Sequence, residues 1–252
     1  MAAFPTASVR WGVKMTGHTG RGDYDLISIP GFADPVASIM HLTAASIALV
    51  AGILMIWRFR GPGLHRFGLM VFVFGTVFMF SMSGVYHLLG SGGSARYVLQ
   101  HLDHAAIWVM IAGTFTPLHL MLFKGWQRWG ILAVIWIAAI NGLVLKTVFF
   151  TTFPEWLSVG LYLALGWAGA FSAVLFVRRW GFENVHWLAF GGLSYSVGAV
   201  LQLIDPPFLI PGVIGTHELW HLFVVIGAFC HWRMVELGIV MSANLIDSDE
   251  SE

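Results

Sequence analysis

Residues 129–150 read WGILAVIWIAAINGLVLKTVFF, and Lys146 is the only charged side chain among them. An α-helix rises 1.5 Å per residue, so about 20 consecutive apolar residues carry it across the hydrocarbon core of a bilayer. A membrane β-strand would be about half as long and would alternate apolar with polar positions, which this stretch does not do. It reads as a transmembrane helix. Working outward, six more runs of this kind lie at roughly 35–57, 67–89, 102–123, 156–177, 186–205 and 217–240. Charged, glycine-rich or proline-containing segments separate them: Arg58-Phe59-Arg60-Gly61-Pro62-Gly63, Gly90-Ser91-Gly92-Gly93-Ser94, Lys124-Gly125-Trp126-Gln127-Arg128, Phe153-Pro154-Glu155, Arg178-Arg179 and Asp205-Pro206-Pro207. Trp57, Trp126, Trp129, Trp156 and Trp180 sit near the ends of the runs, where amphipathic rings anchor at the membrane interface. The predicted fold is an all-α membrane protein, a seven-transmembrane helix bundle.

Composition excludes the alternatives. Of 252 residues, 58% are hydrophobic and 10% charged, against about 25% charged in a soluble domain. So few charges cannot cover a water-facing surface, and so much apolar content is incompatible with disorder. Thirteen basic and thirteen acidic residues cancel, which offers nothing to nucleic acid. Cys230 is the single cysteine and leaves no intrachain disulfide to make. Residues 1–33 form a polar N-terminal tail without the apolar core of a signal peptide. Residues 34–240 form the membrane domain, and 241–252 an acidic C-terminal tail.

The unusual count is eleven histidines. Ionisable groups inside a membrane are costly, so each is a functional candidate. Ser83 and His87 stand four apart near the end of the second run. His101, Asp103 and His104 open the third, and His217 and His221, again four apart, open the seventh. Odd-numbered spans start on the side of the N-terminus and even-numbered spans end there. These three clusters therefore share one face of the membrane, as a single site requires. Two imidazoles at i and i+4 present their nitrogens to one gap, and a third from another helix makes three ligands. Three protein ligands leave one tetrahedral position for water, the pattern of a catalytic zinc. Zinc lowers the pKa of such a water to about 7 and polarises carbonyl oxygens. Asp103 would take the proton, and the Ser83 hydroxyl would orient the water or donate to an oxyanion.

Other histidines receive plainer readings. His41, His119 and His231 read as hydrogen-bonded helix contacts, and His101, His104 and His186 as wet interfacial groups. Lys146 reads as snorkelling to the interface. His217-Glu218-Leu219-Trp220-His221 also matches HExxH, the zinc-protease motif in which the glutamate is the general base. No Leu-Asp-Gly element supplies the carboxylate ligand of an intramembrane protease, so Glu218 reads as an acidic residue near a helix N-terminus.

The motifs together resemble the hemolysin III family. Ser83-x-x-Tyr86-His87, Leu102-Asp103-His104-Ala105-Ala106-Ile107 running into Ala112-Gly113-Thr114-Phe115-Thr116-Pro117, and His217-x-x-Trp220-His221 with Cys230-His231 carry the resemblance. Tyr162–Trp167 and Gly191–Gly198 add to it. That family is the bacterial branch of the progestin and adipoQ receptors, which include the adiponectin receptors. The resemblance implies seven helices around one zinc held by His87, His217 and His221, with Asp103 and Ser83 beside the metal-bound water. It also implies kinship with the alkaline ceramidases, which hydrolyse lipid amides.

Two functions follow. The first is a zinc-dependent hydrolase of lipid amides or esters whose acyl-lipid substrate enters sideways from the bilayer. The second is a non-enzymatic receptor-like or cytolytic membrane protein in which zinc staples helices. Loops after odd spans, with the far end of the seventh, hold eight Lys or Arg: Arg58, Arg60, Arg66, Lys124, Arg128, Arg178, Arg179 and Arg233. Loops after even spans hold Arg96 and Lys146. The positive-inside rule then favours an external N-terminus and zinc face in a bacterial cytoplasmic membrane; the adiponectin receptors are oriented the other way.

Overall fold

The computed structural model describes residues 32–90, 93–205, 210 and 213–250. The polar tail read at the N-terminus therefore lies outside the described residues up to position 31. Within the described residues the chain forms α1 (Pro35–Arg58), α2 (Gly63–Leu88), α3 (Ser94–Leu122), α4 (Trp126–Val148), α5 (Glu155–Trp180), α6 (His186–Ile204) and α7 (Thr216–Glu250). A 3₁₀ turn at Phe182–Asn184 joins α5 to α6. All seven helices are long and apolar enough to cross a membrane. Two run well past the apolar stretches that announce them. The third begins at Ser94, so His101, Asp103 and His104 stand about two turns inside the helix. The seventh continues through the acidic stretch to Glu250, with Met241 and Leu245 packed on the core.

Side chains point outward in a way water would not tolerate. Ile47 (65% exposed), Phe74 (61%), Ile137 (61%) and Phe171 (63%) line the outer surface, which is what a lipid-facing surface should look like. Trp57, Trp126, Trp129 and Trp156 are exposed near helix ends, as interfacial anchors should be. Trp180 is different: its ring turns inward onto Phe123 and Phe176.

Lipid tails are as apolar as leucine, so the hydrophobic effect does little to hold helices together in a bilayer. Close van der Waals packing over small residues does that work. α3 is the most enclosed helix and packs against α2, α4, α5 and α7. It meets α2 backbone to backbone. A Cβ on Gly75 would lie 3.2 Å from the Val109 carbonyl oxygen, and one on Gly113 would lie 3.3 Å from that of Val71. α6 also meets α7 closely: a Cβ on Gly191 would lie 3.2 Å from the Gly227 carbonyl oxygen and against the His231 ring, Gly198 faces the Phe223 side chain, and the Ser194 hydroxyl donates to the Phe223 carbonyl at 2.8 Å.

These contacts place one polar layer over a dry one. Ala45, Met79, Phe80, Ala106, Met110, Val224 and Ala228 form a buried apolar cluster. Ala45, Phe80 and Val224 each lie within two turns of a histidine on the same helix: His41, His87 and His221 respectively. The larger cluster, with Leu69, Phe72, Leu122, Phe123 and Phe176, fills the opposite end of the bundle.

Candidate metal centre

His87, His217 and His221 converge: each offers a ring nitrogen, and these atoms all lie within 4.8 Å of one another. The His217 Nε2 is 3.3 Å from that of His87 and 2.9 Å from that of His221. Two ligand nitrogens about 2.0–2.1 Å from a tetrahedral zinc would be about 3.3 Å apart, so this donor set fits a metal of that size. The ligand-bearing positions are the last turn of α2 and the first two turns of α7, at one face of the bundle as span parity requires. His87 and His221 are buried, and His217 is half-buried.

The turn that carries His87 is held firmly. The last four carbonyls of a helix lack intrahelical partners, and here the chain entering α1 supplies donors. Asp34 N donates to the His87 carbonyl at 2.9 Å and Ala33 N to that of Leu88 at 3.2 Å. The Arg96 guanidinium donates to the Tyr86 carbonyl at 3.1 Å and also reaches the Leu89 carbonyl. One turn back, the Ser38 hydroxyl donates to the Gly84 carbonyl at 2.9 Å, and Gly84 itself sits against Leu42.

Two residues complete the centre that reading from sequence passed over. Nδ1–H of His87 donates to Oδ2 of Asp34 at 2.8 Å, both side chains being buried. Such a carboxylate sets the tautomer and ring orientation of a metal-binding imidazole and raises its basicity. Arg96 lies 4.0 Å from the same oxygen. His41, read from sequence as a plain helix contact, has its Nε2 2.9 Å from Nδ1 of His221. Parity could have found both, because α1 also begins on the face of the site; without a motif, nothing singled them out.

Ser83 is buried one turn before His87. Most buried hydroxyls in this bundle donate to backbone carbonyls, as Thr76, Thr114 and Thr116 do to the residue four before them. Among the described residues Ser83 is the buried serine or threonine without a hydrogen bond. Its hydroxyl is available. Asp103 is partly exposed and makes no direct hydrogen bond to the three histidines. His101 and His104, three apart on α3, turn the other way. Each donates Nδ1–H to the carbonyl four residues back at 2.8 Å, and both rings pack on Phe150.

Two further histidines hold helices together. His119 donates Nδ1–H to the Gln127 carbonyl at 2.7 Å, and its Nε2 pairs with the Ser172 hydroxyl at 2.9 Å. His231 is packed under Gly191 and beside Tyr195. Lys146 does not reach outward: it is buried, with Nζ 4.5 Å above the Phe150 ring, where a cation is attracted to the π face.

Glu218 has a structural occupation. Its Oε2 accepts the Gly215 N–H at 2.8 Å. Gly215 is the residue before α7 and Glu218 the third within it, so this is half of a capping box. Glu218→Ala is expected to lower thermal stability by about 1 kcal/mol, the usual scale of a lost cap. Glu218→Gln, which can still accept, should match wild type in both stability and metal content. A general base would instead lose activity by a factor of about 100 or more as the glutamine, and that result would revive the protease reading.

A family model described as Haemolysin-III related matches residues 32–232. Hemolysin-3 of Bacillus cereus is 36% identical over 133 residues, covering 50% of this chain and 55% of that protein. The Hemolysin-3 homolog of Bacillus subtilis (strain 168) is 33% identical over 132 residues, covering 52% and 58%. The matched stretch thus spans little more than half the length of these two relatives. The heptahelical transmembrane protein ADIPOR2 of Oryza sativa subsp. japonica is 28% identical over 193 residues, covering 70% of this chain and 84% of its own.

Proposed function

This chain belongs to the haemolysin-III related family, and on that footing we propose that it is a zinc-dependent hydrolase of lipid amide or ester bonds in a bacterial cytoplasmic membrane. The observation that carries the reading is the converging trio His87, His217 and His221, with its first outer partner already in place at Asp34. Three imidazoles suit zinc among the common divalent ions and leave a coordination position open. A bound zinc would supply a Lewis acid for the scissile carbonyl and acidify a water ligand.

The chain's own groups would do the rest. Asp103 would take a proton from the attacking water and return it to the leaving amine or alcohol, giving a carboxylate and the freed headgroup. Ser83 Oγ would donate to the oxygen on which negative charge develops. The apolar cluster beneath would exclude bulk water from the reaction.

Purified protein in mixed micelles, offered a panel of acyl amides and acyl esters, should release free fatty acid. A chelator should stop the release and added zinc should restore it. No release from any lipid class would sink the hydrolase.

One observation favours a second reading. The α2 and α7 backbones scarcely approach each other, so a metal held by His87 from one and His217 and His221 from the other would staple them. In that case zinc serves a receptor-like or cytolytic bundle, and its removal loosens the fold without any chemistry being lost.

A further inference from the structure

His41 lies in α1 and is 1% exposed. Its ring stands edge-on to His221, with centroids 4.2 Å apart at 87°, and edge-on to Phe80, at 5.0 Å and 80°. It contributes no atom to the trio of mutually close donors. Its Nε2 is instead engaged with the far side of one of them. We propose that His41 is the positioning residue of His221, accepting its Nδ1 proton so that the Nε2 lone pair is presented to the metal; this rests on the metal reading above.

The proton count makes the case. The Nε2 of His221 faces His217, and to hold a cation it must be unprotonated. A neutral His221 then carries its hydrogen on Nδ1, aimed at His41 Nε2 at 2.9 Å. For that contact to be a hydrogen bond, His41 Nε2 must be the acceptor, so the His41 hydrogen sits on Nδ1. That Nδ1 is buried and has no hydrogen-bond partner among the described residues.

An unpaired buried donor is unfavourable. His65 Nδ1 and His231 Nε2 share that condition; what sets His41 apart is that its other nitrogen meets one of the trio at 2.9 Å. His41 is thus satisfied only on the side that faces His221. The two buried ligands are then oriented by different acceptors: His87 by the Asp34 carboxylate, His221 by a neutral imidazole that adds no negative charge. Loss of such outer partners costs about 10–100-fold in metal affinity.

The test is zinc affinity of the full-length protein in detergent, measured by competition with a chromophoric chelator, beside thermal unfolding of the metal-free protein. His41→Phe keeps an aromatic ring but removes the acceptor, and should weaken zinc about 10–100-fold. His41→Gln places an amide oxygen near the former Nε2 and should keep most of the affinity. His41→Asn reaches only as far as Nδ1 and should behave like the phenylalanine variant. Should His41→Phe fail to fold, the glutamine and asparagine pair carries the test, since both are polar amides differing in reach. Zinc affinity unchanged in His41→Phe or in His41→Asn, with only the melting temperature lowered, would overturn the assignment and make His41 a packing residue. Wild-type protein that takes up no zinc would overturn the metal reading itself, and this role with it.

Discussion

His217→Ala should abolish metal binding: zinc content of the purified protein is expected to fall from about one per chain to none. The magnitude follows from position. His217 Nε2 is the atom nearest to both other donors, at 3.3 Å from His87 and 2.9 Å from His221. Without it, two imidazoles from different helices remain, too few to hold zinc against water and buffer at the three-ligand level. The effect should exceed the roughly 10–100-fold cost of losing an outer partner such as Asp34 or His41. The fold should survive, because His217 is half-buried and the α6–α7 contacts at Gly191, Ser194 and Gly198 lie deeper along the helix. Metal analysis of wild type and variant side by side decides the matter. An unchanged zinc content would remove the centre from these residues.

Asp103→Ala should separate chemistry from binding. A positioned general acid–base group contributes about 10²–10⁴-fold to rate, so fatty-acid release is expected to drop by that factor while zinc stays at one per chain. Two features support independent readouts. Asp103 makes no direct hydrogen bond to the trio, and the carboxylate that does bond one of them is Asp34, at His87. Asp34→Ala should therefore weaken the metal, whereas Asp103→Ala should not. If the metal only staples α2 to α7, Asp103→Ala will leave function intact and chelation will lower the melting temperature; that pair of results selects the non-enzymatic reading.

Much of this was legible because a bilayer is a demanding solvent. It requires about 20 apolar residues per crossing and satisfied backbone groups within each, so seven crossings could be counted from composition alone. Counting crossings also tells which ends share a face, and that brings His87, His217 and His221 to one side of the membrane. The i, i+4 spacing then put His217 and His221 on one side of one helix. Helix ends were less legible. Residues 94–101 and 241–247 fall outside the apolar runs, yet their backbones continue the helices; Arg96 bonds the end of α2, and Met241 and Leu245 pack on the core.

Rotation about each helix axis was not written in the chain in any local form. His101, Asp103 and His104 enter on the same face of the membrane, but a helix advances 100° per residue. α3 seats Gly113 on Val71 and receives Gly75 at Val109, and that backbone contact sets its rotation: His101 and His104 turn to Phe150. The same kind of contact, Gly84 against Leu42, brings α1 close enough for Asp34 to reach His87, and His41 reaches His221 from the same helix. Composition and spacing by themselves determined seven crossings, the shared face and the three candidate ligands. Only the tertiary structure decided which neighbours stand behind those ligands, because that depends on where small residues let one helix backbone touch another.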